Sequence, residues 1–210
     1  MERKVEMAQH SRPEQMLLEQ FTPEEREFIK RHNTPRKIQA FLNTLPYNWE
    51  ETCETMRPFR SAIKAGTAHC FEGAAIATTV LYLNGYPPLW LCIQSVDYDH
   101  NMFVYWRNGR VGSVSQSRHP ELRGKPPVFN TYDELCLSYW DDYYNEYTGD
   151  KNDKTMRGYA VIDFRIFGDY WVTATEDLLD IEAYLYMVPY KGLVEENRGQ
   201  FYFAPREEGN

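Results

Sequence analysis

The first half of the chain carries hydrophobic residues at helical spacing, with clear helix-start signals. Residues 22–25, Thr-Pro-Glu-Glu, place Thr at the N-cap, Pro at the first helical position and Glu at the third, which predicts a helix to about residue 32. Thr34-Pro35 repeats the signal, and four apolar residues between 38 and 45 then fall at positions i, i+3, i+4 and i+7. Residues 70–84 are apolar on all sides and rich in alanine, which predicts a helix buried on every face.

The second half of the chain has a pattern that favours strands, and it has fewer predicted helices. A nearly continuous apolar run over 89–96 predicts a central strand buried on both faces. Residues 159–167 predict another strand, and residues 132–147 predict an amphipathic helix. A last helix is expected to open at Thr175. Together these elements predict an α+β fold in which a buried helix packs on an antiparallel sheet.

The segment 100–117 predicts a hairpin whose register follows from its turn. Asn108-Gly109 is the strongest short signal for a two-residue hairpin loop, and apolar runs flank it on both sides. Residues 107 and 110 then pair, so that paired numbers sum to 217 along 100–107 and 110–117. Because side chains alternate across a strand, His100, Ser115 and Ser117 are expected on one face.

Composition and charge exclude several classes of protein. The chain has 210 residues, 42% hydrophobic and 26% charged, which is a globular balance. Its net charge of −8 lacks the basic surface that nucleic-acid binding requires. No apolar run approaches the roughly 18 residues of a membrane span, and the N-terminus has no apolar signal-peptide centre. We therefore expect a cytoplasmic protein that binds neither nucleic acid nor membrane.

Motif searches narrow the chemistry further. The four cysteines lie at 53, 70, 92 and 136 with no C-x-x-C pair, so a structural zinc site has little support. The glycine-rich signatures of nucleotide binding and the common hydrolase and zinc-protease motifs are absent from the sequence. A metal site formed by His69, Cys70 and His100 is a minor alternative. No cofactor is expected.

Cys70 and His100 are the candidates for chemistry. A cysteine in the first turn of a helix faces unpaired backbone N–H groups and the positive end of the helix dipole, which favour thiolate over thiol. The same N–H groups can stabilise an oxyanion. His100 follows 30 residues later, after a helix, a turn and a strand, and an imidazole there can activate the thiol. The plainer interpretation is a buried thiol and a structural histidine.

The segments AGTAHCFEGAAIATTVLYLNGYPPLWLCIQ and DYDHNMFVYWRNGRVGSVS resemble the transglutaminase-like superfamily of papain-like cysteine proteins, and bacterial members of it above all. That family has Cys at the start of a buried helix, His on a following strand and Asp on the next strand. The resemblance implies Cys70 as nucleophile and His100 as general base, within a domain spanning 34–192. Residues 1–33 would be a helical extension and 193–210 a polar tail.

The sequence departs from the family at the third position, where Ser115 stands near the place of the Asp. A hydroxyl accepts a hydrogen bond from an imidazole N–H, but it does not stabilise imidazolium as a carboxylate does. Three alternatives follow: Asp97, Asp99 or a distant acid such as Asp163 takes this role, the dyad works without an acid, or the site is weakened.

Four further residues are expected around the site, in substrate binding or in support of the reacting groups. They are His69, Glu72, Asp99 and Ser117. Glu72, in the first turn of the predicted helix, is expected to cap it and to interact with its dipole rather than act as an acid.

These residues predict acyl transfer on a peptide or small amide through a thioester on Cys70, with water or an amine as acceptor. The alternative is a noncatalytic binding or scaffold module that keeps the fold and lacks the acid. Ser115 is the feature that favours this alternative.

Overall fold

The structure, a computed structural model, describes residues 12–204 and contains eight α-helices within that range. Helices α1 to α8 are Arg12–Leu18, Pro23–Arg31, Pro35–Leu42, Phe59–Ala65, Cys70–Tyr82, Tyr132–Leu137, Tyr170–Thr173 and Leu179–Leu185. Short 3₁₀ turns lie at Pro120–Leu122, Trp140–Asp142 and Phe164–Phe167. The parts of the predicted extension and tail at 1–11 and 205–210 lie outside the described residues.

Six antiparallel strands form one sheet, so the fold is α+β as predicted. Strands β1 to β6 are Leu89–Ser95, His100–Arg107, Arg110–Val114, Met156–Asp163, Pro189–Gly192 and Phe201–Phe203. Their order across the sheet is β3-β2-β1-β4-β5-β6. The predicted strand 89–96 is therefore central, paired with β2 on one side and β4 on the other.

Both faces of the sheet are covered, because alternate residues of the central strands enter two separate cores. Trp90 and Cys92 of β1 join a large core with α5 and the other N-terminal helices. Leu91 and Ile93 point the other way, into a smaller core formed with α6 and Tyr139. Alternation on a strand buried on both faces accounts for the unbroken apolar run in the sequence.

The predicted start of α2 is confirmed. The Thr22 hydroxyl accepts a hydrogen bond from Glu25 N–H at 3.2 Å, and the Glu25 carboxylate accepts one from Thr22 N–H at 2.8 Å. Leu17, Phe21 and Ile29 lie in the same core as α5, so no break in packing separates the described part of 1–33 from the rest. The described part of the segment before α3 therefore packs against the rest of the fold.

The hairpin register is confirmed, but its second strand is shorter than expected. Arg107 pairs with Arg110 and Phe103 with Val114, which preserves the predicted sum. The ladder ends at Val114, since the side chain of Gln39 on α3 hydrogen-bonds both Ser115 N–H and Ser115 C=O at 2.9 Å. Ser115 and Ser117 are therefore outside the strand, and the predicted facing pair of Ser117 with His100 does not form.

Several other boundaries differ from the pattern. The segment 132–147 is helical only to Leu137 and then turns, and the strand expected over 159–167 is β4, which begins at Met156 and ends at Asp163. The last helix begins at Leu179 rather than 175. Phe201–Phe203 pairs with β5 at the sheet edge, so this part of the polar tail is docked. Within residues 12–204 no helix is long and apolar enough to cross a membrane.

Candidate active site

A cleft of about 1050 Å³ opens at the N-terminus of α5 and the adjoining ends of β1 and β2. The loop 46–50, the segment 117–122 and the segment 142–147 contribute to its walls. Cys70, His100 and His69 all line it, and Cys70 is partly exposed there. The structure therefore brings the predicted nucleophile and base into one cavity.

Cys70 is the first residue of α5, where the geometry favours a thiolate. His69 is the N-cap, and its Nδ1 accepts the Phe71 N–H at 3.2 Å, while its own N–H donates to Glu72 at 3.0 Å. The N–H of Cys70 has no acceptor within the helix. Burial alone would raise the pKa of the Cys70 thiol, but hydrogen bonds and positive charge from His100 and His69 hold it well below its ordinary value.

His100 begins β2 and is oriented by a backbone carbonyl. Its Nε2 lies 2.7 Å from the carbonyl oxygen of Leu122, in the 3₁₀ turn Pro120–Leu122. A carbonyl only accepts, so Nε2 carries the proton and the neutral ring has its lone pair on Nδ1. The ring is buried, and it helps to hold the pKa of the Cys70 thiol below its ordinary value. Nδ1 is therefore the ring nitrogen that is able to accept a proton.

Ser115 is not the acceptor of the imidazole proton that the sequence indicated. Its hydroxyl donates to the same Leu122 carbonyl, at 3.2 Å, and the residue is fully buried. Because β3 ends at Val114, Ser115 has no partner on β2 and the predicted alternation does not extend to it. Ser115 instead shares with His100 the carbonyl that orients the ring.

None of the alternative acids bonds the His100 ring. Asp99 accepts the Ser95 N–H at 2.9 Å, and burial, with the Cys70 and Asp97 charges, raises its pKa to about 6. Its backbone carbonyl lies 3.8 Å from the Cys70 sulfur. Asp97 accepts the Ser95 hydroxyl at 2.9 Å.

Asp163 is excluded by its register on the sheet. It pairs with Leu89, four residues along β1 from Ile93, the residue opposite His100. Four residues of a strand span about 13 Å. Its carboxylate instead binds Arg165.

On a helix, the residue before the nucleophile would not face the same side as the nucleophile. His69 is the N-cap of α5 and not a helical residue, so its side chain also lines the cleft. Its Nε2 donates to the Thr55 carbonyl at 2.7 Å. Burial lowers its pKa, but the Cys70 and Glu72 charges outweigh burial and raise it to about 9. An imidazolium, however, could not accept the Phe71 N–H. The hydrogen bonds present are those of the neutral ring, and a helix N-terminus disfavours a cation, so we assign the base role to His100.

Glu72 is fully buried and anchors the loop before α4 to the N-terminus of α5. It forms an ion pair with Arg57 and accepts from the Thr55 hydroxyl at 2.9 Å and from Asn48 Nδ2 at 3.2 Å. Burial alone would raise its pKa, but these donors and His69 lower it. The capping role expected from the sequence is present, while its partners in residues 48–57 were not predicted, since that loop has no periodic signal.

The other predicted residue, Ser117, lies at the opposite wall of the cleft. Its hydroxyl accepts the His119 N–H at 3.1 Å, which shapes the turn leading to Leu122. The adjoining Arg118 forms an ion pair with Glu146 and lies over the Tyr98 ring at 4.9 Å from its centroid. This contact joins two walls of the cleft at its mouth.

The remaining cysteines are placed away from this chemistry. Burial raises the pKa of Cys92 and Cys136 well above the ordinary thiol value, as expected for core residues. Cys53 is exposed on the surface. Among the described residues no group of three or more His, Cys, Asp or Glu side chains is arranged to hold a metal ion.

No family model matches the sequence. The structure is similar to that of calcium-bound LapG from Legionella pneumophila, with 14% sequence identity and a TM-score of 0.36. That alignment covers 54% of this chain and 80% of the LapG chain. A likeness this slight supports no conclusion about the chemistry of the cleft.

Proposed function

We propose that this protein catalyses acyl transfer from an amide or peptide through a thioester on Cys70. The observation that carries the proposal is the position of Cys70 as first residue of α5, in a cleft that the His100 imidazole also lines. Low thiol pKa, partial exposure and an adjacent base are the combination found at nucleophilic cysteines and not at structural ones.

The first half-reaction uses the neutral form of His100. Nδ1 takes the proton of the Cys70 thiol, and the imidazolium keeps its Nε2–H bond to the Leu122 carbonyl. The thiolate attacks the carbonyl carbon of the substrate, and the π electrons move to the oxygen, which becomes an oxyanion. The oxyanion then returns its electrons, the C–N bond breaks, and the leaving nitrogen takes the proton from His100.

The second half-reaction regenerates the thiolate. His100 removes a proton from the acceptor, whose oxygen or nitrogen attacks the thioester carbon, and the C–S bond breaks. Water as acceptor gives a carboxylic acid, and an amine gives a new amide. Every proton is carried by His100, so the residues of the cleft complete the cycle without a cofactor.

We further infer a transglutaminase-like core over 34–192, with 1–33 as a helical extension and 193–210 as a tail. The order of a buried Cys helix, a His strand and an antiparallel neighbour supports it. The cleft is larger than most small-molecule pockets and carries exposed Trp49, Tyr98 and Tyr147. These features favour a peptide or small amide over a polyanion.

The noncatalytic alternative predicts the opposite reactivity for the Cys70 thiol. In a scaffold module the residue at Cys70 would be a small buried group, with no enhanced reactivity. The lowered pKa of Cys70 favours the enzyme.

Alkylation by iodoacetamide, followed residue by residue with mass spectrometry, tests the proposal. Cys53 is exposed and serves as reference thiol in the same molecule, while Cys92 and Cys136 are buried. We expect Cys70 to be alkylated faster than Cys53 at pH 6, and the advantage to shrink as the pH rises and Cys53 ionises. In a His100→Ala variant the advantage at pH 6 should fall at least about tenfold, because a hydrogen bond to the charged sulfur is lost.

The thiol test is paired with a test of acyl transfer. The Cys53→Ser variant, which retains Cys70, should become acetylated on Cys70 by p-nitrophenyl acetate and then release acetate to water. A Cys70→Ala variant that keeps its melting temperature should do neither. Alkylation of Cys70 no faster than Cys53, with no acetyl-enzyme, would establish the scaffold instead.

A further inference from the structure

The residues on either side of Tyr47 in the sequence are hydrogen-bonded to the segment that bears Cys70. The carbonyl of the preceding Pro46 accepts the Ala68 N–H at 3.1 Å, two residues before Cys70. The side chain of the following Asn48 bonds Glu72 on the first turn of α5. Residue 47 therefore lies between two fixed points on the segment that bears Cys70, which limits its backbone freedom.

The side chain of Tyr47 lines the same cleft as Cys70 and His100. Its ring packs edge-on against Trp49, with centroids 5.0 Å apart. Among the hydrogen bonds of residues 12–204, none uses the Tyr47 hydroxyl, although the residue is only partly exposed. A phenol hydroxyl that has no protein partner and lines the cleft is available to a group bound there.

The Tyr47 hydroxyl also keeps its proton at the pH at which the thiolate forms. Burial raises the pKa of the phenol, and the negative charge on Cys70 raises it further, partly offset by Arg118. The interaction with the thiolate places the two groups in each other's field. A protonated phenol in this cleft is a hydrogen-bond donor for negative charge that develops there.

We propose that the Tyr47 hydroxyl donates a hydrogen bond to the oxyanion formed when Cys70 attacks its substrate, together with the free N–H of Cys70. This inference rests on the acyl transfer proposed above. When the thiolate adds to the carbonyl carbon, the charge that leaves sulfur arrives on the carbonyl oxygen. Tyr47 stabilises it by hydrogen bonding and transfers no proton, since the leaving group takes its proton from His100.

Two reagents that attack the same sulfur separate this role from others. Iodoacetamide reacts by displacement at a saturated carbon, which forms no oxyanion, whereas p-nitrophenyl acetate passes through a tetrahedral oxyanion. In the Cys53→Ser background, Tyr47→Phe should slow acetylation of Cys70 by roughly 10²-fold, the loss expected for one oxyanion donor. Its iodoacetamide rate and the pH dependence of that rate should match wild type. Tyr105→Phe, on β2 outside the cleft, is the matched control and should change neither rate.

Each of the following three results would overturn the Tyr47 assignment. Equal acetylation of Tyr47→Phe and wild type would overturn the Tyr47 assignment and leave the Cys70 proposal standing. Equal slowing of both reagents would also overturn it, because Tyr47 would then act on the thiol itself. If wild type forms no acetyl-Cys70, the proposed function fails and the Tyr47 assignment fails with it. Melting temperatures of both variants near that of wild type exclude unfolding as the cause.

Discussion

Removing Glu72 should release the loop 48–57 from the helix that bears the nucleophile. Its carboxylate is fully buried and is bound by Arg57, Asn48, Thr55 and the His69 N–H. Glu72→Ala leaves the guanidinium of Arg57, only 16% exposed, without its ionic partner. Deleting one member of a buried pair destabilises a protein by about 3–5 kcal/mol. For a chain of this length that is a fall in melting temperature of about 6–20 °C.

Urea unfolding measures the loss, provided that the slope with denaturant is unchanged. Glu27→Gln, on the exposed face of α2, is the control and should change stability by less than about 0.5 kcal/mol. The double variant Arg57→Ala/Glu72→Ala should be less destabilised than the sum of the two single variants, by at least about 1 kcal/mol. A Glu72→Ala variant destabilised by under about 1 kcal/mol, or strict additivity, would refute the reasoning.

A second substitution at this position, Glu72→Gln, tests the dependence of stability on pH. The folded-state pKa of Glu72 is below its ordinary value of 4.5, so its contribution is full above that value and is lost as the pH falls through the folded pKa. The difference in stability between wild type and Glu72→Gln should therefore narrow under acidic conditions. A difference that widens there would show that the carboxylate is not held in its charged form.

The remaining predictions concern two residues near the dyad, Asp99 and Ser115. Asp99→Asn should stabilise the protein at pH 7 by up to about 3 kcal/mol. The pKa of Asp99 is about 6 in the folded protein and 3.8 ordinarily, so wild type loses stability as the pH rises through that interval. Chemical denaturation at pH 4 and pH 7 measures the effect, and equal stabilisation at both pH values would contradict it. The same variant should speed alkylation of Cys70 at pH 6, because a negative charge beside the thiolate is removed. Ser115→Ala should lower stability by about 1 kcal/mol, the value of one hydrogen bond, with little change in thiol reactivity. Ser115→Asp should unfold at lower denaturant and should not speed alkylation, because its carboxylate would be buried against the Leu122 carbonyl; faster alkylation at full stability would show that it reaches the His100 ring.

The sequence predicted the elements that carry the dyad because their signals are local. Apolar residues around the whole of 70–82, a double-sided run at 89–95 and the turn at Asn108-Gly109 each require only neighbouring residues. The register of the hairpin followed from the turn alone and is confirmed over the whole of β3. Placing Cys70 at the first turn of a helix needed no knowledge of the rest of the fold.

The parts that were missed depend on contacts between distant segments. The end of β3 is set by Gln39, 76 residues before the Ser115 backbone that it bonds. The partner of His100 is a backbone carbonyl, which no residue type can signal. Arg57 meets Glu72 through a loop without periodic pattern, and Tyr47 reaches the cleft through that same loop. Local patterns do not encode these contacts, since each is fixed only when the helices pack on the sheet.

The replacement of a carboxylate by the Leu122 carbonyl changes where the ion pair is stabilised. A neutral acceptor supports imidazolium by about 1 kcal/mol less than a charged one. The sulfur has compensating support that does not depend on an acid, from the first turn of α5 and the N–H of Cys70, which has no acceptor within the helix. All of these act on negative charge at or next to the sulfur, and the N–H continues to act when that charge moves to the substrate oxygen. In the acyl transfer proposed above, these groups would stabilise the thiolate without a carboxylate, so Ser115 at the place of the acid is compatible with that proposal.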